Sequence, residues 1–160
     1  MLTIDAAILA AIVEHARRDH PDEACGFVVG AIGSDRPVRH IPMTNAARSM
    51  TYYELEPAEY LRVARELDDR DEEPVVVYHS HTATQAYPSR TDVSLAGWPD
   101  AHYLLVSTRE EATTEVRSYR IVDAVVTEEP LRLVNVADAA AVQSYLFGHT
   151  PAQVDYECPA

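Results

Sequence analysis

This chain of 160 residues is short of cysteine and of positive charge. It has two cysteines, and 13 lysine and arginine residues against 26 aspartates and glutamates, for a formal net charge of −13. Cys25 and Cys158 lie near opposite ends, which offers no disulfide framework and fits a reducing compartment. So few cations exclude nucleic acid as a partner, because that binding relies on clustered lysine and arginine neutralising phosphates. An acidic chain likewise gains nothing at an anionic membrane surface. Long apolar runs are also lacking. The opening "MLTIDAAILAAIVEHARR" has no basic leading segment, is interrupted by Asp5 and is too short to span a bilayer. The expectation is a cytoplasmic protein kept soluble by its acidic surface.

What is present suits one ordinary domain: 47% of the residues are hydrophobic, and a chain of this length buries roughly two-thirds of its unfolded surface. Ile4, Ile8, Ala11, Ile12 and His15 recur at helical spacing, which predicts a helix from about Ile4 to Arg18 capped by Thr3. "ACGFVVG" and "VRHIPM" read as neighbouring strands across a turn rich in Gly, Ser, Asp and Pro. Pro57 opens a second helix through Leu61, Ala64 and Leu67. "VVVYHSH" reads as a strand, "SRTDVSLAGW" as a short helix starting at or near Ser89, and "AHYLLVST" as another strand. "EVRSYRIVD" and "AVVTEEPLRLV" are expected to finish the sheet. This order predicts an α/β fold, a mixed β-sheet covered by helices. The domain is placed at residues 1–135. Residues 136–160, which have no clear period, read as a C-terminal extension, mobile or docking.

The chemistry concentrates between Val75 and Trp98. Side chains alternate along a strand, so His79 and His81 face the same way and Ser80 points away. If Ser89 opens a helix, Asp92 is its third residue and can return to the histidine pair. Two imidazoles and one carboxylate make a zinc site with a fourth tetrahedral position left for water. Each residue also has an ordinary role: a surface histidine pair, a helix cap, a first-turn acid answering the helix dipole.

Together, His79, His81, Ser89 and Asp92 stand as H-x-H, seven residues, then S-x-x-D, and this resembles the signature of the JAMM (MPN+) metalloprotease family. The likeness runs from about Thr3 to Val134. "HARRDHPDEACG", "GSDRP", "RHIPMTNA", "YHSHTAT", "AYPSRTDV", "PDAHYLLVSTR" and "RSYRIVD" resemble the short, stand-alone actinobacterial members that release cysteine from a ubiquitin-like sulfur carrier protein. The resemblance implies a cytidine-deaminase-like architecture and one Zn2+ per chain on His79, His81 and Asp92. It implies Glu23, ahead of the strand "ACGFVVG", as general base in preference to Asp22, with Gly26 allowing a close approach. Ser89 is implied as a donor to the oxyanion. Cys25 reads as a small buried residue, since no basic partner adjoins it in sequence.

The implied activity is that of a zinc metallopeptidase, a hydrolase cutting the amide between the carrier's C-terminal glycine and cysteine, with the Gly-Gly tail added as a strand to a sheet edge. Arg48 and Arg90 are the cations weighed for the cysteine carboxylate, and either is equally an ordinary surface cation. Two alternatives are an isopeptidase removing ubiquitin-like modifiers from protein lysines and a non-catalytic MPN scaffold, although scaffolds lose the ligands retained here. A zinc nucleobase deaminase needs a Pro-Cys-x-x-Cys pair that the sequence lacks.

Overall fold

Leu2 and Ile4 keep the chain from entering a helix at once. In the computed structural model, which describes residues 1–146, 148–150 and 153–157, both are fully buried while Thr3 and Asp5 are only half-buried. That alternation is a strand's. It forms β1 (Leu2–Asp5), paired in parallel with Leu131–Val134. The predicted helix therefore starts later: α1 spans Ala6–Asp19, and its cap is Asp5, not Thr3, with the Asp5 carboxylate accepting from the Ala7 N–H at 2.8 Å. Its buried stripe is Leu9, Ile12, Val13 and Ala16, with Ile8 and Ala11 left half-buried.

The next elements follow the sequence pattern. β2 (Cys25–Ala31) and β3 (Arg39–Met43) pair antiparallel. α2 (Pro57–Asp69) has Pro57 in its first turn and Glu56 as cap. β4 (Glu72–His81), α3 (Arg90–Leu95), β5 (His102–Ser107) and β6 (Glu115–Val122) then follow. The closing run expected as one strand is two, β7 (Val125–Glu129) and β8 (Leu131–Val134), which belong to different sheets. Pro130 separates them; it has no N–H to donate to a ladder and fixes its own φ.

The main sheet has six strands in the order β3-β2-β4-β5-β6-β7, parallel only between β4 and β5. It is the mixed sheet expected. On one face Val76, Tyr78 and Leu104 pack with α1, β1 and β8; on the other Val77, Phe27 and Leu105 pack with Val63 and Leu67 of α2. Beyond β8, α4 (Ala139–Gln143) places Val142 in the first of these cores, and β9 (Val154–Tyr156) pairs with β8 in a small parallel sheet β1-β8-β9. Part of the expected extension, including Cys158, lies outside the described residues. Among the described residues no helix is long and apolar enough to cross a membrane.

Candidate metal centre

His79 and His81 close β4 on the face that carries Val77, and both are buried. Their Nε2 atoms converge to 3.1 Å. The third group arrives from α3. Ser89 is its N-cap and forms a capping box with Asp92: the Ser89 hydroxyl accepts from the Asp92 N–H at 3.1 Å, and the Asp92 carboxylate accepts from the Ser89 N–H at 2.6 Å. This local motif aims Asp92 at the histidines, with Oδ1 at 3.2 Å from His79 Nε2 and Oδ2 at 3.3 Å from His81 Nε2. The three ligand atoms lie within 4.8 Å of one another.

The electrostatics fit a cation held between these groups. Burial works to raise the Asp92 pKa, but hydrogen bonds to His79 and His81 outweigh it and hold the carboxyl well below the usual range. Burial lowers His79. For His81 burial is outweighed by hydrogen bonds to Asp92 and to the Gln85 carbonyl, and its pKa rises. That carbonyl lies 3.0 Å from His81 Nδ1. Donation there leaves Nε2 as a lone pair aimed into the cluster, the arrangement of a metal-ligating histidine with its other nitrogen anchored. Two imidazole nitrogens and a carboxylate, with no thiolate, match the donor set of an open zinc site and could hold a metal ion. His79 Nδ1 is buried without a partner among the described residues, and the ring of Tyr53 lies against that imidazole, centroids 4.7 Å apart.

Glu23 stands two residues before the start of β2, and the pairing of Cys25 with His79 brings it to the same end of the sheet. Its backbone is held on both sides. The Glu23 N–H donates to the Ser49 carbonyl at 2.8 Å, and Asn45 Nδ2 donates to the Glu23 carbonyl at 2.9 Å. The next residue is tied to β4, where Ser80 Oγ accepts from the Ala24 N–H at 2.8 Å. Glu23 is only 4% exposed. Burial, opposed by His81 and reinforced by Asp92, pushes its pKa up to about 7, near the optimum for a proton carrier at neutral pH. Cys25 is free and buried, and burial pushes its thiol up to about 12, which makes it a packing residue.

Gly26 is required sterically. A Cβ there would sit 2.5 Å from the Ile41 carbonyl oxygen and 2.6 Å from Tyr78 Oη, so the close approach is to β3 and β4.

Two clefts open at residues of the candidate site, one at Glu23 and one at Asp92. One, of about 580 Å³, opens beside Glu23 and is lined by Arg18, Asp19, Asp22, Asn45 and Arg48 among others. The other, of about 240 Å³, opens beside Asp92 and is lined by Tyr52, Tyr53, Leu55, Leu95 and Trp98. Arg90, exposed on α3, lines neither. Asn45, Ser80 and Tyr53 are the site residues that pattern reading passed over. Asn45 lies in "RHIPMTNA" and Ser80 in "YHSHTAT", yet none of the three shows a spacing that marks it.

The family model for prokaryotic homologs of the JAB domain matches residues 5–122. The CysO-cysteine peptidase of Mycobacterium tuberculosis is 65% identical over 134 residues, 84% of this chain and 92% of that protein. The desampylase of Haloferax volcanii is 32% identical over 111 residues, 66% of this chain and 80% of its own. A solution structure of a protein from Desulfitobacterium hafniense matches with a TM-score of 0.72 at 30% identity, over 83% of this chain and 92% of that one.

Proposed function

Since the chain belongs to the family of prokaryotic homologs of the JAB domain, we propose that it is a zinc peptidase that frees cysteine from the C-terminal glycine of a ubiquitin-like sulfur carrier protein. The observation that carries the chemistry is the convergence of His79, His81 and Asp92 beside the buried carboxyl of Glu23. The substrate is supported by the high identity to a protein named for the same reaction. In this reading residues 1–135 are the catalytic unit, 136–160 are an appended segment, and the enzyme works in the cytoplasm.

His79, His81 and Asp92 would hold one Zn2+, which when bound supplies Lewis acidity to a water and to the scissile carbonyl. Glu23 accepts the proton of the attacking water as the new carbon–oxygen bond forms. As the carbon–nitrogen bond breaks, Glu23 delivers that proton to the nitrogen, which leaves as the amine. A hydroxyl can accept and donate at once, so Ser89 keeps its cap on Asp92 while its O–H donates to the developing oxyanion. Groups of this kind contribute roughly 3–4 kcal/mol to transition-state binding. The Gly-Gly tail of the carrier lies in the apolar cleft beside Asp92.

The desampylase relative favours a second reading, removal of a ubiquitin-like modifier from protein lysines. Incubating the zinc-loaded protein with a carrier–cysteine adduct and with a carrier–lysine isopeptide separates the two. Faster hydrolysis of the cysteine adduct is expected; cleavage of the isopeptide alone would reverse the assignment. A scaffold without activity would cut neither.

A further inference from the structure

We propose that Arg48 receives the free α-carboxylate of the leaving amino acid, making the enzyme selective for adducts of a single amino acid; this rests on the peptidase reading above. Glu23 hands its proton to the leaving nitrogen, so the leaving group occupies the cleft that opens at Glu23. That cleft is polar, lined by Arg18 and Arg48 together with Asp19, Asp22 and Glu23. Its counterpart beside Asp92 is lined largely by aromatic and aliphatic side chains. The mixed charge of the first complements an amino acid, which leaves as an ammonium at one end and a carboxylate at the other.

Of the two cations in the cleft, Arg18 is engaged by Asp19 at 3.2 Å. Arg48 has no carboxylate partner among the described residues. In an α-amino acid the carboxylate carbon lies only about 2.5 Å from the nitrogen, across two covalent bonds, so its receptor must stand within one side chain of Glu23. Arg48 meets that condition: its neighbour Ser49 accepts the Glu23 N–H at 2.8 Å, and its own N–H donates to the Asn45 carbonyl at 3.2 Å. Asn45 in turn fixes the loop, its Oδ1 accepting from the Ala47 and Glu54 N–H groups at 3.0 and 3.1 Å.

The backbone at Arg48 is left-handed, with φ at 44°. Glycine or asparagine adopts that conformation with less strain, yet the position carries a guanidinium, whose planar fork matches a carboxylate in two parallel hydrogen bonds. A lysine isopeptide leaves through its ε-amine, far from any carboxylate of its own, and does not satisfy this group.

The test uses two adducts of one ubiquitin-like sulfur carrier, ending in Gly-Gly-cysteine and in Gly-Gly-cysteinamide. The zinc-loaded wild type is expected to prefer the free acid by about 10- to 100-fold in kcat/KM, the range of a charge-assisted pair. Arg48→Gly, which suits the left-handed backbone and so keeps the fold, should abolish the preference by slowing the acid alone. Arg48→Lys should retain part of it, and Arg90→Gly should change neither rate. Equal hydrolysis of both adducts by the wild type, or equal slowing of both by Arg48→Gly, overturns the proposal. Hydrolysis of neither adduct by zinc-loaded wild type is a different failure, because it removes the peptidase reading and the role of Arg48 with it.

Discussion

Asn45 donates from Nδ2 to the carbonyl of Glu23 at 2.9 Å and, from the same nitrogen, to the carbonyl of Tyr52 at 3.2 Å. One buried amide thereby joins the backbone of the proposed base to the loop carrying Arg48 and Tyr53. The cluster is organised by such backbone ties as much as by its own side chains. They hold Glu23 beside the histidines from one side, while the Ser89 capping box holds Asp92 from the other.

Glu23→Gln keeps the shape and removes the proton acceptor. Turnover of a carrier–cysteine adduct is expected to fall about 10²- to 10⁴-fold with zinc content unchanged, read by steady-state rates and elemental analysis of the same preparation. Undiminished activity in the variant would remove Glu23 from the reaction.

His81→Ala and Asp92→Ala should act on the metal itself. Each removes one of three ligands, so zinc per chain after dialysis should fall well below that of the wild type, and activity with it. A chelator applied to the wild type should reproduce the loss, and added zinc should reverse it. Full zinc occupancy in either variant would show that the ligand set is wrong.

Gly26→Ala tests the packing that brings β2 to the site. The added methyl meets the Ile41 carbonyl and the Tyr78 hydroxyl, and overpacking of this kind costs about 1–3 kcal/mol. A lower melting temperature and a lower rate are both expected. A variant as stable and active as the wild type would mean that the strands have room to separate.

Glu129 is expected to contribute to the response to acid. It is buried against His102, accepts from Ser118 Oγ at 2.8 Å and meets the Met1 ammonium at 2.8 Å. Burial alone would raise its pKa, but these partners outweigh it and bring the carboxyl down to about 2, below the ordinary glutamate value of 4.5. Because the folded pKa is the lower one, the stabilisation is complete above the unfolded value and is lost as pH falls through the folded one. Melting curves taken from about pH 6 to about pH 3 should therefore decline less steeply for Glu129→Gln than for the wild type. Parallel declines would assign the acid sensitivity elsewhere.

The centre of the site was legible because its geometry is local. Strand alternation alone places His79 and His81 together, and a four-residue capping motif places Asp92. Glu23 was reached through resemblance, since nothing in "HPDE" separates it from Asp22 without the burial that the fold supplies. β1 is not separable from α1 by local pattern because Ile4 satisfies two periods at once, the strand's with Leu2 and the helix's with Ile8. Its partner β8 lies at the far end of the chain, where local pattern carries no information. The contacts of Asn45 and Ser80 were invisible for the same reason: each ties segments far apart in sequence, and neither residue type marks its partner.

The most direct measurement is mass spectrometry of a carrier–cysteine adduct incubated with zinc-loaded wild type, with chelated protein and with Glu23→Gln. The account predicts loss of one cysteinyl residue from the carrier with the zinc-loaded wild type, and an intact adduct in the other two. An adduct that survives the zinc-loaded wild type, or one cleaved equally in all three, would contradict it.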